Sequence, residues 1–307
     1  MEKKSFNSLT FKHISRAADD IIKYADDRRN GANTSLKTKW SKFNDACMGG
    51  IEPNVVYSIG GISGSAKSSF VNSLESDLFD LNPDIDFAVL SFSFEMASEK
   101  QVGRKLSSKL NKTTSELYSA RDRLSDNDFE YMKNAAKGVK KYNVYYVDEA
   151  GDSDEIENTI KAFRGTLKPE TWLLIILDHT LLIKGNGDER KIISDMQKLW
   201  IKEKKVGKTT IMQLTQMNRG IETPERVKNA QMHYPTRTDI FGSDSVYHAS
   251  DYVIILHRPE TIGIENYGVN QIPCIGLIFM HIIKNREGDL KILKFKNSLK
   301  YNRIEDD

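Results

Sequence analysis

The run Gly60-Gly61-Ile62-Ser63-Gly64-Ser65-Ala66-Lys67-Ser68-Ser69 constrains this chain more than any other segment. It follows the apolar, β-rich residues Val55-Val56-Tyr57-Ser58-Ile59 and leads into a helical pattern carrying Phe70, Val71, Leu74 and Leu78. A strand, a glycine-rich turn, Lys-Ser and a helix in that order form the phosphate-binding loop of a nucleoside triphosphatase. Gly61, Ser63, Gly64, Ser65, Ala66, Lys67, Ser68 and Ser69 are the expected cradle for ATP. Backbone N–H groups there make an anion nest, and the helix N-terminus adds partial positive charge. Lys67 would reach the β- and γ-phosphates. Ser68 would hold Mg²⁺, an ion that keeps several waters and takes few protein ligands. Ala66 stands where the pattern has glycine, and a left-handed backbone at that position would strain it.

Composition narrows the class. The 307 residues suffice for one large domain or two small ones, and 39% are hydrophobic. Lys+Arg 45 against Asp+Glu 43 leaves a net charge of +2, so a nucleic-acid site would have to come from local basic loops. Cys47 and Cys274 are isolated, without CxxC spacing. That pattern favours a reducing compartment, here the cytoplasm, and no structural disulfide or zinc. No apolar run reaches about 18 residues, so no membrane span is expected. The first residues have no apolar signal-peptide core.

Residues 9–29 read as an amphipathic helix with Phe11, Ile14, Ala18, Ile21, Ile22 and Ala25 at helical spacing, stopped by Asn30-Gly31-Ala32-Asn33. Residues 1–35 are thus an N-terminal arm, free to pack on its own domain or on a neighbour, and residues 36–307 a catalytic domain. Strand patterns follow at 87–94, 143–147, 172–177, 209–214 and 252–256, with helical patterns at 99–110, 126–139, 153–163 and 191–205. The alternation predicts an α/β fold with a mostly parallel sheet covered by helices. Residues 275–283 and 290–295 flank Lys284-Asn285-Arg286-Glu287-Gly288-Asp289 and predict a C-terminal β-hairpin. Two polar stretches, 219–234 and 259–271, read as long loops.

Hydrolysis also needs a carboxylate near Mg²⁺ and a group that polarises the attacking water. Such groups belong at the carboxyl ends of the strands. Three strands end in acid, at Glu95, at Asp148-Glu149 and at Asp178. One reading makes Asp148 the metal-side acid and Glu149 the base. A second uses Asp178 and Glu95. A third makes Asp148 a helix cap or loop acid.

Six segments, in order, resemble the motifs of the DnaB-type replicative helicases. They are 38–51 with Trp40, Phe43, Gly49 and Gly50; Ser91-Phe92-Ser93-Phe94-Glu95-Met96; 176–183 around Asp178-His179; Leu214-Thr215-Gln216-Met217-Asn218-Arg219-Gly220; 235–251 with Gly242-Ser243; and Lys284-Asn285-Arg286-Glu287-Gly288. The resemblance implies a RecA-like P-loop core and selects Glu95 as the water-polarising base, with Asp178 supporting the metal. It further implies that Gln216 senses the γ-phosphate. Lys284 and Arg286 would reach the ATP of the adjacent subunit in a homo-oligomeric ring, a hexamer. Single-stranded DNA would meet Lys184, Arg190, Lys191, Arg219, Arg237, Gly242 and Ser243. A primase or helicase loader would be a further partner. Phe241 stands where the family often has an arginine, and Arg237 is the substitute on offer. The family's N-terminal collar domain is missing from this pattern, which suggests a bacteriophage version. The rival readings are a RecA/RadA-like recombination ATPase and a non-motor ATP-binding scaffold.

Overall fold

The computed structural model describes residues 11–32, 35–185 and 187–307, in two units that divide between residues 34 and 35. In the first unit, α1 spans Ile14–Arg29. The expected start at residue 9 is later in the structure, because His13 caps the helix through Ser15 N; Phe11 therefore precedes it. Residues 9 and 10 lie outside the described residues.

The second unit carries strands β1 (Val56–Gly61), β2 (Phe87–Ser93), β3 (Val144–Val147), β4 (Trp172–Asp178), β5 (Thr209–Gln216), β6 (Tyr252–His257), β7 (Asn266–Tyr267), β8 (Ile272–Pro273), β9 (Leu277–Asn285), β10 (Lys291–Ser298) and β11 (Arg303–Asp306). Its helices are α2 (Ser41–Ala46), α3 (Lys67–Leu81), α4 (Ser98–Leu110), α5 (Thr114–Tyr118), α6 (Asp126–Val139), α7 (Ser153–Arg164), α8 (Glu189–Glu203), α9 (Pro224–Lys228) and α10 (Ser243–Ala249). The main sheet has the order β11-β10-β9-β6-β1-β5-β4-β2-β3. Strands from β6 to β3 pair in parallel, and β9, β10 and β11 extend the sheet antiparallel. The expected C-terminal hairpin is β9–β10.

The central strands are buried on both faces, which is why they are near-continuous apolar runs. Along β4, Leu174 and Ile176 join a core with Trp40, Phe43, Phe70 and Leu74. Leu173, Ile175 and Leu177 join the opposite core with Ile156, Met196 and Trp200. That is the period-2 alternation of a strand with two dry faces. The segment before the phosphate loop is anchored by Trp40, which stacks on Phe70 at 4.7 Å and donates Nε1–H to Ile304 O at 2.9 Å.

The two stretches read as long loops are folded instead. Residues 219–234 form short helical turns and α9, tied together by Arg226. Its guanidinium pairs with buried Asp239 and donates to Met232 O and Tyr234 O. Residues 259–271 form a helical turn and most of the β7–β8 ribbon. Turns this short have too few residues to show a period, so one half-buried arginine organises what the pattern could not.

Under that region His257 and His281 are buried, and neither ring nitrogen of His257 has a partner among the described residues. Burial, with the charge of Arg226, pushes His257 down to about 4; burial pushes His281 down to about 3. Asp239 opposes the shift of His257, and His233 adds to it. A histidine whose folded pKa lies below its unfolded value contributes fully above about pH 6.5 and loses that contribution as pH falls toward the folded value. For His257 the loss is about 2 kcal/mol at pH 5. Thermal melts from pH 7 to pH 5 should therefore fall less steeply for His257→Leu than for the wild type. Parallel slopes would show that His257 is not the titrating group.

Candidate active site: the phosphate-loop cleft

The cleft forms where β1, β2, β4 and β5 end together. Register pairs Gly61 with Gln216 and Ser93 with Asp178, so Glu95 follows β2 beside the end of β4. Phe94 N donates to Asp178 O at 3.1 Å, which fixes that junction. The resulting cavity of about 380 Å³ is lined by the loop from Ser63 to Ser69 and by Glu95, Asp178 and Gln216. The sequence-selected loop, base, metal-side acid and sensor thus share one space.

Local geometry explains the loop's composition. A Cβ on Gly61 would collide with Ser65 Oγ and come within 2.9 Å of Leu256 O. Ala66 precedes α3 with φ +86°, the left-handed conformation that strains a side chain by about 1 kcal/mol. Lys67 Nζ donates to Gly61 O at 2.7 Å and Ile62 O at 3.0 Å. Burial lowers Lys67 to about 8, partly offset by the charges of Asp178 and Glu95. Burial, then the Glu95 charge, raises Asp178 to about 6. Glu95 itself is exposed, with His179 Nε2 3.9 Å from its Oε2. The cleft therefore holds one buried acid, one water-accessible acid and a lysine held by loop carbonyls.

Asp148 and Glu149 do not line this cleft. β3 is the edge strand, beyond β2, and not beside β4. Asp148 accepts from Ser98 N at 3.1 Å, as a loop acid at the start of α4. Glu149 lines a separate depression with Phe92, Val147 and Glu155.

Arg104, His179, Arg258 and Asn302 also line the cleft, and sequence reasoning missed them. Arg104 reaches it from α4, within electrostatic range of Asp178 and Glu95. Arg258 follows β6, donates to Gly64 O at 2.9 Å and pairs with Glu260 at 2.8 Å. Looking for bases as well as acids at strand ends would have found Arg258.

Lys284 and Arg286 lie elsewhere. Tyr252 pairs with Asn285 on one side and with Tyr57 on the other, so both residues lie level with the start of β1, two strands away. The phosphate loop follows its other end, about 17 Å away at strand rise. Lys284 Nζ donates to Tyr247 O and lies 4.7 Å from that ring's centroid. Arg286 Nε is 3.2 Å from Asp251 Oδ1, and its side chain is 51% exposed. Neither lines the cleft of its own chain.

The basic loop residues are divided. Arg190 and Gly242 line one groove of about 580 Å³ with Ser194, Asn218, Thr238 and Phe241. Gly242, at φ +66°, precedes α10, which opens at Ser243. Arg237 pairs with Asp244 at 2.6 Å, and Phe241 packs into a hydrophobic cluster. Arg219 is exposed in the turn after β5. Lys191 is in the first turn of α8. Lys184 lines a different depression, with Asp152, Asp154 and Asp195.

The family described as "DnaB-like helicase C terminal domain" matches residues 35–306. The chain belongs to that family. Among solved structures, one described as an ATPase domain superposes with a TM-score of 0.80 at 17% identity, covering 97% of this chain and 99% of that one. A DnaB-like replicative helicase, described with its interactions with primase, superposes with a TM-score of 0.77 at 17% identity, covering 98% and 68%. At this identity the likeness establishes the fold, a RecA-like ATPase core with added antiparallel strands. No curated protein matches in sequence. As a DnaB-like domain the chain is a replicative-helicase-type ATPase, and nucleotide with a divalent metal is its family's ligand pair. No helix among the described residues is long and apolar enough to cross a membrane.

Proposed function

We propose that the chain is an ATP-driven motor that encircles single-stranded DNA as a homo-hexameric ring and unwinds duplex ahead of it. The observation that carries this reading is that Lys284 and Arg286 stand apart from the phosphate-loop cleft. The phosphate loop, Glu95, Asp178 and Gln216 share one cleft, whereas Lys284 and Arg286 stand level with the opposite end of β1. On this reading a neighbour's Lys284 and Arg286 complete the cleft, beside the Arg104 and Arg258 that its own chain supplies.

In this reading Lys67 leaves the carbonyls of Gly61 and Ile62 to take the β- and γ-phosphates. Ser68, with Asp178 directly or through water, would hold Mg²⁺, whose charge offsets that of the phosphates. The fit rests on the donor set: one hydroxyl and one buried carboxylate facing the cleft suit an ion that keeps its waters. Glu95 is open to solvent and takes the proton of the attacking water. Gln216 carries the state of the γ-phosphate outward through the backbone. Its carbonyl accepts from Phe241 N at 3.0 Å, and Asn218 N donates to Asp239 O at 2.8 Å. Those residues shape the Arg190–Gly242 groove, where cationic and backbone N–H contacts to phosphate suit sequence-independent binding. Lys184, Lys191, Arg219, Arg237 and Ser243 would line the wider path of the strand. Primase or a helicase loader is a proposed partner of the assembled ring.

The strained Ala66 favours a second reading, an ATP-binding scaffold with crippled turnover. Phosphate release with and without single-stranded DNA separates the two. The motor is expected to release phosphate faster with DNA, and Arg190→Ala to reduce the slope of log affinity against log salt by about 0.7. ATP binding with no DNA-stimulated release would favour the scaffold.

A further inference from the structure

Glu75 and Lys105 are charged residues in a place built for apolar ones. Glu75 lies on α3, two turns beyond Lys67, and Lys105 lies on α4 directly after Arg104. Their side chains are 0% and 1% exposed, and Lys105 Nζ is 2.6 Å from Glu75 Oε2. Tyr146, on β3, donates its hydroxyl to the same oxygen at 3.1 Å. Lys105 Nζ also lies 3.5 Å from Asn72 Oδ1 and 5.5 Å from the Tyr146 ring centroid. Burial and the Glu75 charge keep the Tyr146 phenol protonated, so it remains a donor. The network joins the helix behind the phosphate loop, the helix that carries Arg104, and the edge strand.

Stability alone does not explain such a pair. Desolvating two charges commonly outweighs their attraction, and an apolar pair of similar volume is often as stable or more so. What the ion pair adds is direction: it fixes the spacing and register of two helices where sliding apolar contacts would not. Register matters at both ends of this contact. α3 begins at Lys67 and Ser68, and α4 delivers Arg104 to the cleft opposite Asp178 and Glu95. Gln101 Nε2 donates to Ser93 Oγ at 2.9 Å and anchors the first part of α4 to β2. The next turn is held by Lys105.

We propose that Lys105, through its ion pair with Glu75, is a positioning residue that sets the reach of Arg104 over the phosphate loop during ATP hydrolysis. The inference rests on the reading of this cleft as the ATP site. The test uses the full chain and the double variant Glu75→Leu/Lys105→Met, which removes both charges at similar volume and leaves neither unpaired. Its melting temperature should lie close to that of the wild type, the relieved desolvation of two charges offsetting the Tyr146 hydroxyl that loses its acceptor. Its KM for ATP should stay within about twofold while kcat falls about tenfold, the scale of a misplaced group. In an Arg104→Ala background the same double change should alter kcat by less than about twofold, since the group it positions is gone. If the double variant melts early, Lys105→Arg carries the test: it keeps the charge, changes the reach, and should lower kcat only when Arg104 is present. A stable double variant with wild-type kcat overturns the inference, as does an equal loss of kcat with and without Arg104. A wild type that binds or hydrolyses no ATP overturns the reading of the cleft instead, and is told apart by that first measurement.

Discussion

Glu95→Gln is expected to bind ATP with near wild-type affinity and to hydrolyse it about 10³-fold more slowly, the typical contribution of a positioned general base. The physical reason is its location. Glu95 is the water-accessible acid of the cleft, two residues beyond the end of β2, where Ser93 pairs with Asp178 at the end of β4. The amide of the glutamine keeps the shape and removes the basicity. Lys67→Ala should act differently and lose both binding and turnover, because the lysine is the cation within the phosphate loop. Glu149→Gln is the control. It lines another depression, one strand further out, and its ATPase rate should stay within about twofold of wild type. Steady-state phosphate release and fluorescent-nucleotide binding on the three variants decide the assignment. Turnover abolished by Glu149→Gln and retained by Glu95→Gln would reverse it.

Arg286→Ala should lower ATPase by about 10³-fold while changing nucleotide affinity by no more than about threefold, as expected of a cation supplied in trans to the transition state. Its own cleft cannot receive it, since it stands beside Asp251 at the start of β1 while the phosphate loop lies beyond the end. Lys284, against Tyr247, lies at the same end of the sheet. Mixing inactive Arg286→Ala with inactive Lys67→Ala protein should restore part of the activity. Some interfaces in a mixed ring pair an intact loop with an intact arginine. No recovery at any ratio, in assemblies shown to exchange subunits, would mean that the site is not shared.

The sequence made much of this fold legible for a simple reason. Strands such as β4 bury both faces, so their six apolar residues stand out against polar flanks. The phosphate loop is legible because its backbone demands small residues, and the strain anticipated at Ala66 is present at φ +86°. Strand order is another matter. Local composition does not tell Asp148-Glu149 from Asp178, and only the motif resemblance separates them; distance from β1 is a property of the sheet, and the order β1-β5-β4-β2-β3 is what puts Glu149 at the edge. Arg104 and Lys105 on α4, and Glu75 on α3, carry no signal in the helical patterns that contain them. Burial of a charge leaves no mark on local periodicity. The same holds for Arg226, whose side chain shapes a region that composition describes as loop.

In the proposed motor, ATP turnover in a ring of these chains drives movement along a single strand. The most direct measurement is displacement of a labelled strand from a forked duplex under ATP, beside the Glu95→Gln protein as a control for binding alone. Steady displacement by the wild type that requires hydrolysable ATP is expected, and none by Glu95→Gln. Rapid DNA-stimulated ATP hydrolysis with no displacement at any fork geometry, or equal displacement by both proteins, would contradict the proposed motor.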